Sequence, residues 1–388
     1  MFEPNSWTQR AVFFVCITLF GGGLQSSPLT AEELRIDAAH KAMPGLLSAL
    51  QDQQTASIRA WQQAEEFASL QQQVLLSGDQ LWQAAKDQVT AGSLDDRALY
   101  WARLSLSRYL RQQDLGFPLT DNQRLALIES LEHSSRGRLD LAYEKSTKKK
   151  ILITGFDPFL LDTNIRQSNP SGVLALYLDG AVIEHNGVRA EINAMTFPVR
   201  YADFDAGEVE SALAPYYASN SVHMVITMSM GRTEFDLEHF PGRRRSASAP
   251  DNLNILAGGS ETQPIIPRLG EAALQGPEFV QFSLPYAAMQ QATGKYPIND
   301  RHLVTTLEGT FDAKSLDQLR WATAVRGGGG GYLSNEISYR SIRLRNKLGS
   351  TIPTGHLHTP RMRDFDKAML EAIVAQVERM LRLSLSEI

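Results

Sequence analysis

The chain has 388 residues, of which 43% are hydrophobic and 21% are charged, and its formal net charge at pH 7 is -5. This length is enough for a sizeable core and favours two domains. The acidic balance argues against nucleic acid as a main partner, and the ordinary charged fraction argues against wholesale disorder.

Residues 1–30 have the pattern of a secretory signal peptide. A polar start is followed by an apolar run from Ala11 to Leu24, and small and polar residues come next, where cleavage would fall. Because the run is short for a membrane span, we favour export to the periplasm or the medium over an uncleaved membrane anchor. The only cysteine, Cys16, lies in this run. The mature protein would therefore have no membrane contact, disulfide or thiol nucleophile.

The composition of residues 31–148 predicts a helical N-terminal domain. Alanine, glutamine, leucine, glutamate and arginine dominate, and glycine is scarce. Apolar residues recur at three- and four-residue spacing from Ile58 to Val74 and again from Leu99 to Leu110. No cluster here points to catalysis. We interpret the aromatic residues of these stripes as core, with a partner-binding groove as the alternative.

Residues 149–388 alternate between strand and helix patterns after a charge run that ends near Lys150. The strand patterns are "ILITGFDPF", "GVRAEINAMTFPV", "VHMVITMSMG" and, as a further strand, "EFVQFSLPY". This alternation predicts an α/β fold in three layers with a largely parallel central sheet, of the phosphorylase/hydrolase-like kind, preceded by the all-α region. In such sheets the chemistry lies beyond the carboxyl ends of the strands.

The stretch "RGGGGGYLSN", from Arg326 to Asn335, places five glycines before a serine and a predicted helix. It lacks the Gly-Lys-Ser/Thr ending of a P-loop and the G-x-S-x-G of a hydrolase elbow. Three interpretations stay open. Ser334 is a helix N-cap, the run is a flexible linker or lid, or backbone N–H groups beside Ser334 bind a developing oxyanion.

Six short motifs follow one another over Lys150–Ser386, and in that order they resemble the pyroglutamyl peptidase I family, the pyrrolidone-carboxylate peptidases. They are "TGFDPF" with "NPS" at Asn169–Ser171, "GRTEFDLE" at Gly231–Glu238, "PDN" at Pro250–Asn252, "FSLP" at Phe282–Pro285, "GGYLSN" at Gly330–Asn335 and "GHLHTP" at Gly355–Pro360.

The resemblance implies an omega-exopeptidase that removes an N-terminal 5-oxoproline from peptides by acyl transfer. It places the catalytic roles on Glu238, Ser334 and His358, with Ser334 in the position of the family's nucleophilic cysteine. The residue types suit that chemistry. A serine hydroxyl needs a base to take its proton, and an acid beside the imidazole fixes its tautomer.

The resemblance also implies a pocket for the pyroglutamyl group of a peptide substrate. Phe156 and Phe159 would sandwich the lactam ring, and Asn169 and Gly331 would also contact the substrate. No cofactor is expected. No metal is expected either, because the histidines are scattered and show no metal-ligand spacing.

Two departures from the family pattern keep an alternative open. The nucleophile is a serine, and Ser248 stands where the family often has an arginine, for which Arg243–Arg245 could compensate. The alternative is an inactive family member that binds peptide N-termini or a partner. Two structural readings also stay open: Glu238 could pair with one of those arginines, and His356 competes with His358, although we expect it to face the other way.

Overall fold

The computed structural model describes residues 28–139, 141, 143 and 149–388. The expected signal peptide lies outside them except for its last three residues, and Cys16 lies outside them entirely. None of the helices in these ranges is both long and apolar enough to cross a bilayer. The predicted domain border near residue 148 also falls outside the described residues, so the division into domains stays a prediction.

The part of the chain before the first strand is helical, as predicted. The apolar stripes form its core, since Trp61, Leu70 and Val74 are fully buried. A π-helical turn at Val89–Ser93 directly follows the longest of these helices. The helices are α1 Ala31–Leu34, α2 Ile36–Ala42, α3 Pro44–Leu47, α4 Gln51–Gln62, α5 Phe67–Gln88, α6 Arg97–Gln112 and α7 Asp121–Ser134.

Strands dominate the centre of the remaining chain. They are β1 Lys149–Phe156, β2 Val182–His185, β3 Val188–Phe197, β4 Met224–Met230, β5 Phe235–Glu238, β6 Arg268–Leu269, β7 Ala272–Ala273, β8 Ile298–Arg301, β9 Leu303–Thr306, β10 Gly309–Asp312, β11 Ala324–Arg326 and β12 Thr354–Thr359. In the described residues the main sheet has the order β2-β3-β1-β4-β12-β5-β8. The strands β3, β1, β4 and β12 are parallel, and β5 is antiparallel to β12.

Helices cover both faces of this sheet. They are α8 Pro170–Leu178, α9 Tyr201–Asp205, α10 Glu208–Ser219, α11 Tyr286–Met289, α12 Leu333–Lys347 and α13 Lys367–Ser384. Successive side chains of β1 point to opposite faces of the sheet and so enter two core layers. Ile151 and Ile153 pack with α8 and α13, whereas Leu152 packs with α10 and α12. The predicted three-layer α/β fold after an all-α region is confirmed.

The prediction of a strand over "EFVQFSLPY" is wrong. Residues 278–285 form only an isolated bridge, while the N–H groups of Val280 and Phe282 donate to the carbonyls of Pro241 and His239. The segment is therefore an extended loop laid along the chain that follows β5. Its apolar side chains are buried there, and this burial produced the strand-like pattern.

The helical region shares its hydrophobic core with the sheet. One buried cluster extends from Trp82 and Leu99 to Ile151. At the end of α8, Asp179 accepts a hydrogen bond from Trp82 Nε1 at 3.0 Å and pairs with Lys86 at 2.7 Å. The α5 helix is thus fixed to the α8 face of the sheet by both apolar and charged contacts.

Buried ion pairs also join the helical region to the loop after β1. Arg103 on α6 and Arg136 after α7 contact the two carboxylate oxygens of Asp157 at 2.6 and 2.9 Å. The three side chains are at most 5% exposed. Asp157 is the acidic residue of "TGFDPF", so the helical region holds the loop between Phe156, the last residue of β1, and Phe159.

Candidate functional site

Glu238 and His358 come together from neighbouring antiparallel strands. The register pairs His358 of β12 with Asp236 of β5, and Glu238 lies two residues farther on the same face. The Glu238 carboxylate contacts His358 Nδ1, and the two side chains are 0% and 4% exposed. The contact is close without being aligned as a hydrogen bond. A carboxylate in this position orients the imidazole and stabilises its protonated form.

The second ring nitrogen of His358 is available. Among the described residues, no hydrogen-bond partner contacts Nε2, although this atom is buried. Leaving a buried polar atom unpaired costs about 1–3 kcal/mol. An unpaired atom of this kind needs an explanation, and a catalytic role is one. Glu238 and His358 are therefore arranged as the acid and the base of a catalytic pair, and His358 Nε2 is free to accept a proton.

His356 does not face away from the site, contrary to expectation. Residues two apart on a strand share a face, and the rings of His356 and His358 lie 4.9 Å apart. His356 is fully buried, and its ring nitrogens each lie 2.8 Å from a hydroxyl, of Thr227 and of Ser229. Burial, aided by the nearby His358, holds the pKa of His356 well below its usual range. His356 is therefore a neutral ring that packs against His358.

Ser334 lies in the first turn of α12, where Tyr332 takes the N-cap position. The interpretation of Ser334 as the N-cap is therefore wrong. Its hydroxyl donates to the Gly329 carbonyl at 3.2 Å, and no hydrogen bond in the described part of the chain joins it to His358. The N–H groups of Leu333 and Ser334 belong to the first turn, which has no intrahelical acceptors for them.

The glycine run is an ordered turn, and the linker interpretation is wrong. Gly327 and Gly330 exchange two backbone hydrogen bonds of 3.0 Å, and Gly330 has a φ of 89°. Gly328 donates to Phe240 at 3.1 Å. The N–H groups of Gly327, Gly328 and Gly330 are thus occupied. In the described structure only Gly329 and Gly331 of this run have N–H groups without a backbone acceptor.

Gly329 separates Ser334 from Glu238. An added Cβ at Gly329 would overlap Glu238 Oε2 and would lie 2.9 Å from Asn335 Cα, while the Gly329 carbonyl accepts the Ser334 hydroxyl. Only glycine allows the chain to pass this closely between the acid and the start of α12. Gly329 therefore connects the two, because it lies against the Glu238 carboxylate and accepts the Ser334 hydroxyl.

A small apolar cavity lies beside Ser334. It is lined by Ser334 together with Phe156, Phe159, Asn169 and Tyr332, and its volume is about 30 Å³. This volume is enough for about two water molecules. Three of the four predicted substrate-binding residues therefore lie around the predicted nucleophile.

The two predicted sandwich rings each pack against another ring. Phe156 stacks on Phe204 with centroids 6.1 Å apart, and Phe159 stacks on Tyr332 at 6.3 Å. Phe156 is buried, whereas Phe159 and Tyr332 are half-buried. The cavity thus has one fixed aromatic wall and one wall of two more exposed rings.

Asn169 supports the cavity through its backbone contacts. Its side chain caps α8 by accepting from the Ser171 N–H at 3.1 Å and donates to the Asp157 carbonyl at 2.9 Å. The helical region contributes Asp96, which accepts from Ser168 Oγ at 2.5 Å and from the Asn169 N–H at 3.0 Å. Burial raises the pKa of Asp96 to about 7. The "NPS" motif therefore forms the start of α8, and the buried Asp96 fixes it by hydrogen bonds.

Arg243–Arg245 do not take the place of the missing arginine. The first two contact Glu278, and the third is held by Glu336 at 2.6 Å. Glu238 pairs with none of them, since its contacts are with His358 and, at 3.9 Å, with Arg232. We expected these arginines to replace the missing one or to pair with Glu238. Both expectations are wrong, because Glu278 and Glu336 bind the arginines instead.

A second cavity, of about 650 Å³, is lined by the glycine run Gly327–Gly331. Gly331, the fourth predicted substrate-binding residue, lines this larger cavity, as does Ser248. Tyr332 lines both cavities. The larger cavity is polar, and its wall includes three arginines, Arg232, Arg301 and Arg326.

Several residues that support the site were missed from the sequence. Arg232 stands in the quoted "GRTEFDLE" motif and could have been found there. Asp96, Arg103 and Arg136 lie in the helical region, where no motif marks them. Arg301 gave no signal, because a single arginine at the end of a short strand is common.

Two groups of described residues bring histidine and carboxylate donors within 4.8 Å of one another. In both groups most of these donor atoms already contact one another or neighbouring protein groups. We therefore assign neither group a metal. They are Glu238, His356 and His358 in the site, and His239, Asp300 and His302 beside it.

Solved structures similar to this chain are pyrrolidone carboxyl peptidases. A mutant enzyme from Pyrococcus furiosus shares 20% identity, with a TM-score of 0.40 over 62% of this chain and 99% of its own. The Thermococcus litoralis enzyme shares 20%, with a TM-score of 0.39 over 61% and 94%. Pyroglutamyl peptidase I of Bacillus amyloliquefaciens shares 18%, with a TM-score of 0.39 over 62% and 98%.

Two family models match the chain. The model described as "PA0049 N-terminal domain" matches residues 22–132, and "PA0049, C-terminal domain" matches residues 150–284 and 311–363. A curated relative, "Uncharacterized protein PA0049" of Pseudomonas aeruginosa, is 30% identical over an alignment that covers 77% of this chain and 71% of the relative. The chain therefore belongs to the PA0049 family.

Proposed function

We propose that the protein is a pyroglutamyl-peptidase-like hydrolase that removes N-terminal 5-oxoproline from peptides, with Ser334 as nucleophile. One observation carries the proposal. Glu238 contacts His358 Nδ1 and leaves Nε2 without a partner among the described residues, next to a turn that holds Ser334 at the start of a helix. The ordered set of motifs that resembles the peptidase family supports the same assignment.

In this mechanism His358 Nε2 takes the proton of Ser334 as Oγ attacks the carbonyl of the pyroglutamyl residue. The N–H groups of Ser334 and Gly331 are suited to bind the oxyanion that forms, because neither has an intrahelical or backbone acceptor. His358 then gives its proton to the leaving amine, and water hydrolyses the acyl-enzyme by the same steps. Glu238 stabilises the imidazolium throughout.

Two movements are required before attack. The Ser334 hydroxyl has to leave the Gly329 carbonyl and come within hydrogen-bond reach of His358 Nε2. The small cavity, of about 30 Å³, has to widen because a lactam ring is larger than the two waters it could hold. Phe159 and Tyr332 form its more exposed wall and are the rings expected to move.

The test is hydrolysis of a pyroglutamyl chromogenic amide by the purified chain. We expect turnover that is lost in Ser334→Ala and retained or increased in Ser334→Cys, which restores the nucleophile that the resemblance implies. A free proline or alanine amide serves as the control substrate and should not react. Equal rates for the chain and for Ser334→Ala would refute catalysis by Ser334.

A second candidate is a binding protein that has the pocket without the reaction. The observation in its favour is that the Ser334 hydroxyl is hydrogen bonded to Gly329 rather than to His358. Calorimetric titration with pyroglutamyl peptides distinguishes the two candidates. Binding without turnover, both in the chain and in Ser334→Cys, would favour the binding protein, and turnover by the chain would remove it.

We further propose that the protein is exported through its first 30 residues. The polar start, short apolar run and small residues of that segment support export. Cell fractionation with sequencing of the mature N-terminus tests it. A chain that keeps Met1 and stays in the cytoplasmic fraction would contradict export.

A further inference from the structure

Arg301 is a positive charge without a partner on the wall of the larger cavity. It is the last residue of β8, and the register places it directly beside Glu238 of the parallel strand β5. No ion pair or hydrogen bond within the described residues engages its guanidinium, and its Nε atom is buried. Because Arg301 lines the cavity and only its Nε is buried, the two Nη atoms are the donors that a ligand acceptor in the cavity would engage.

The other two arginines of this cavity are neutralised. Arg232 donates to the buried Asp236 at 3.0 Å, and Arg326 contacts Glu261. Arg301 therefore supplies the uncompensated charge of the wall. Guanidinium groups bind carboxylates through two parallel hydrogen bonds, and these are about twice as strong as neutral hydrogen bonds.

The cavity has the size and the lining for a piece of peptide. Its volume of about 650 Å³ lies in the range of small-molecule sites. Hydroxyl groups of Ser248, Ser260 and Thr305 line it beside the backbone of the glycine run. Because Tyr332 borders both cavities, a peptide whose first residue occupies the small cavity can extend into the large one.

Building on the proposed function, we propose that the large cavity binds a carboxylate of the leaving part of the substrate, and that Arg301 is its main contact. The substrates favoured would be short pyroglutamyl peptides that carry a free carboxylate near the scissile bond. This carboxylate could be the peptide's C-terminus or an acidic side chain of its second residue. Arg301 is a specificity-determining residue in this scheme and takes no part in bond cleavage.

Position along the chain supports a role in specificity. Residues 285–310 lie between the two stretches that the C-terminal family model matches, and they supply Arg301, Leu303 and Thr305 to the cavity wall. The part of the wall that carries Arg301 thus comes from a segment outside the matched core. Segments of this kind determine specificity around a common scaffold.

The experiment measures binding without turnover. The Ser334→Ala chain is titrated calorimetrically with pyroglutamyl-alanine, with its amide and with pyroglutamyl-glutamate amide. We expect the free acid to bind about ten to a hundred times more tightly than the alanine amide, as for a charge-assisted hydrogen bond. Adding Arg301→Gln should remove this difference. Arg320→Gln, at an exposed arginine outside the cavity wall, is the matched control and should keep it.

The third peptide identifies the source of the carboxylate. If pyroglutamyl-glutamate amide binds as tightly as the free acid, the cavity recognises an acidic side chain. If it binds only as weakly as the alanine amide, the cavity recognises the C-terminal carboxylate. Equal affinity for the acid and the alanine amide would overturn the subsite and leave the peptidase proposal standing. Binding of none of the peptides, with no turnover by the unmodified chain, would overturn both. Melting curves of Arg301→Gln confirm that any loss is not a loss of fold.

Discussion

Replacement of Arg103 by methionine is expected to destabilise the protein and to weaken substrate binding together. Breaking a buried ion pair by removing one partner costs about 3–5 kcal/mol. We expect about 2–3 kcal/mol here, at or below the lower end of that range, for two reasons. Arg136 would still contact Asp157 at 2.9 Å, and Arg103 has two buried nitrogens without hydrogen-bond partners, one of which lies 3.8 Å from Glu132, so their removal partly relieves the native state.

The assay is urea unfolding combined with steady-state kinetics. KM for a pyroglutamyl amide should rise, because Asp157 lies between Phe156 and Phe159, while kcat should change little. The Asp157→Asn variant completes a double-mutant cycle with Arg103→Met. We expect a coupling free energy of about 1–3 kcal/mol, as for residues in direct contact.

Arg108→Met is the control on the same helix. Arg108 pairs with Asp37 at the surface, where the two side chains are 33% and 79% exposed, so its removal should cost less than about 1 kcal/mol. A coupling between Arg103 and Asp157 below about 0.5 kcal/mol would refute the reasoning. So would an unchanged KM in a variant that has clearly lost stability.

Three other changes test the site and its support. Glu238→Gln should lower kcat about a thousandfold or more in peptide hydrolysis, with little change in KM, because the amide cannot stabilise protonated His358. Gly330→Ala should lower both turnover and the free energy of unfolding, the latter by about 1 kcal/mol, because a φ of 89° strains alanine; an unchanged melting temperature would contradict this. Burial raises the pKa of Asp96 to about 7, above its value of about 4 in the unfolded chain. The folded protein therefore binds the proton more tightly, and its free energy of unfolding should fall as the pH rises from about 4 to 7. Asp96→Asn should therefore be more stable than the parent at pH 8 in thermal melts, and a gap that does not shrink toward pH 4 would count against it.

The fold class could be predicted because the periodicities were local. Alternating strand and helix patterns after residue 148 needed only short windows, and so did the apolar stripes before it. The strand predicted over "EFVQFSLPY" failed because apolar burial alone does not distinguish a strand from a loop packed on the sheet. The conformation of this segment is determined by hydrogen bonds to Pro241 and His239, which are distant in sequence.

The predicted site residues stand in motifs, whereas the residues that support them through packing do not. Glu238, Ser334 and His358 stand in motifs, and the structure brings the first and last into contact. The side to which His356 points was mistaken, although strand geometry decides it. Asp96 and Arg103 could not have been found, because no motif marks them and their hydrogen-bond partners Ser168 and Asp157 lie 72 and 54 residues away.

The burial of the Arg103–Asp157 and Lys86–Asp179 pairs also determines how the protein responds to salt. Dissolved ions screen exposed pairs such as Arg320–Asp317, whereas buried or largely buried pairs are screened much less. The attachment of the helical region to the sheet should thus persist at ionic strengths that abolish surface pairing. A protein built in this way keeps the loop that carries Asp157 and Phe159 in place at high salt.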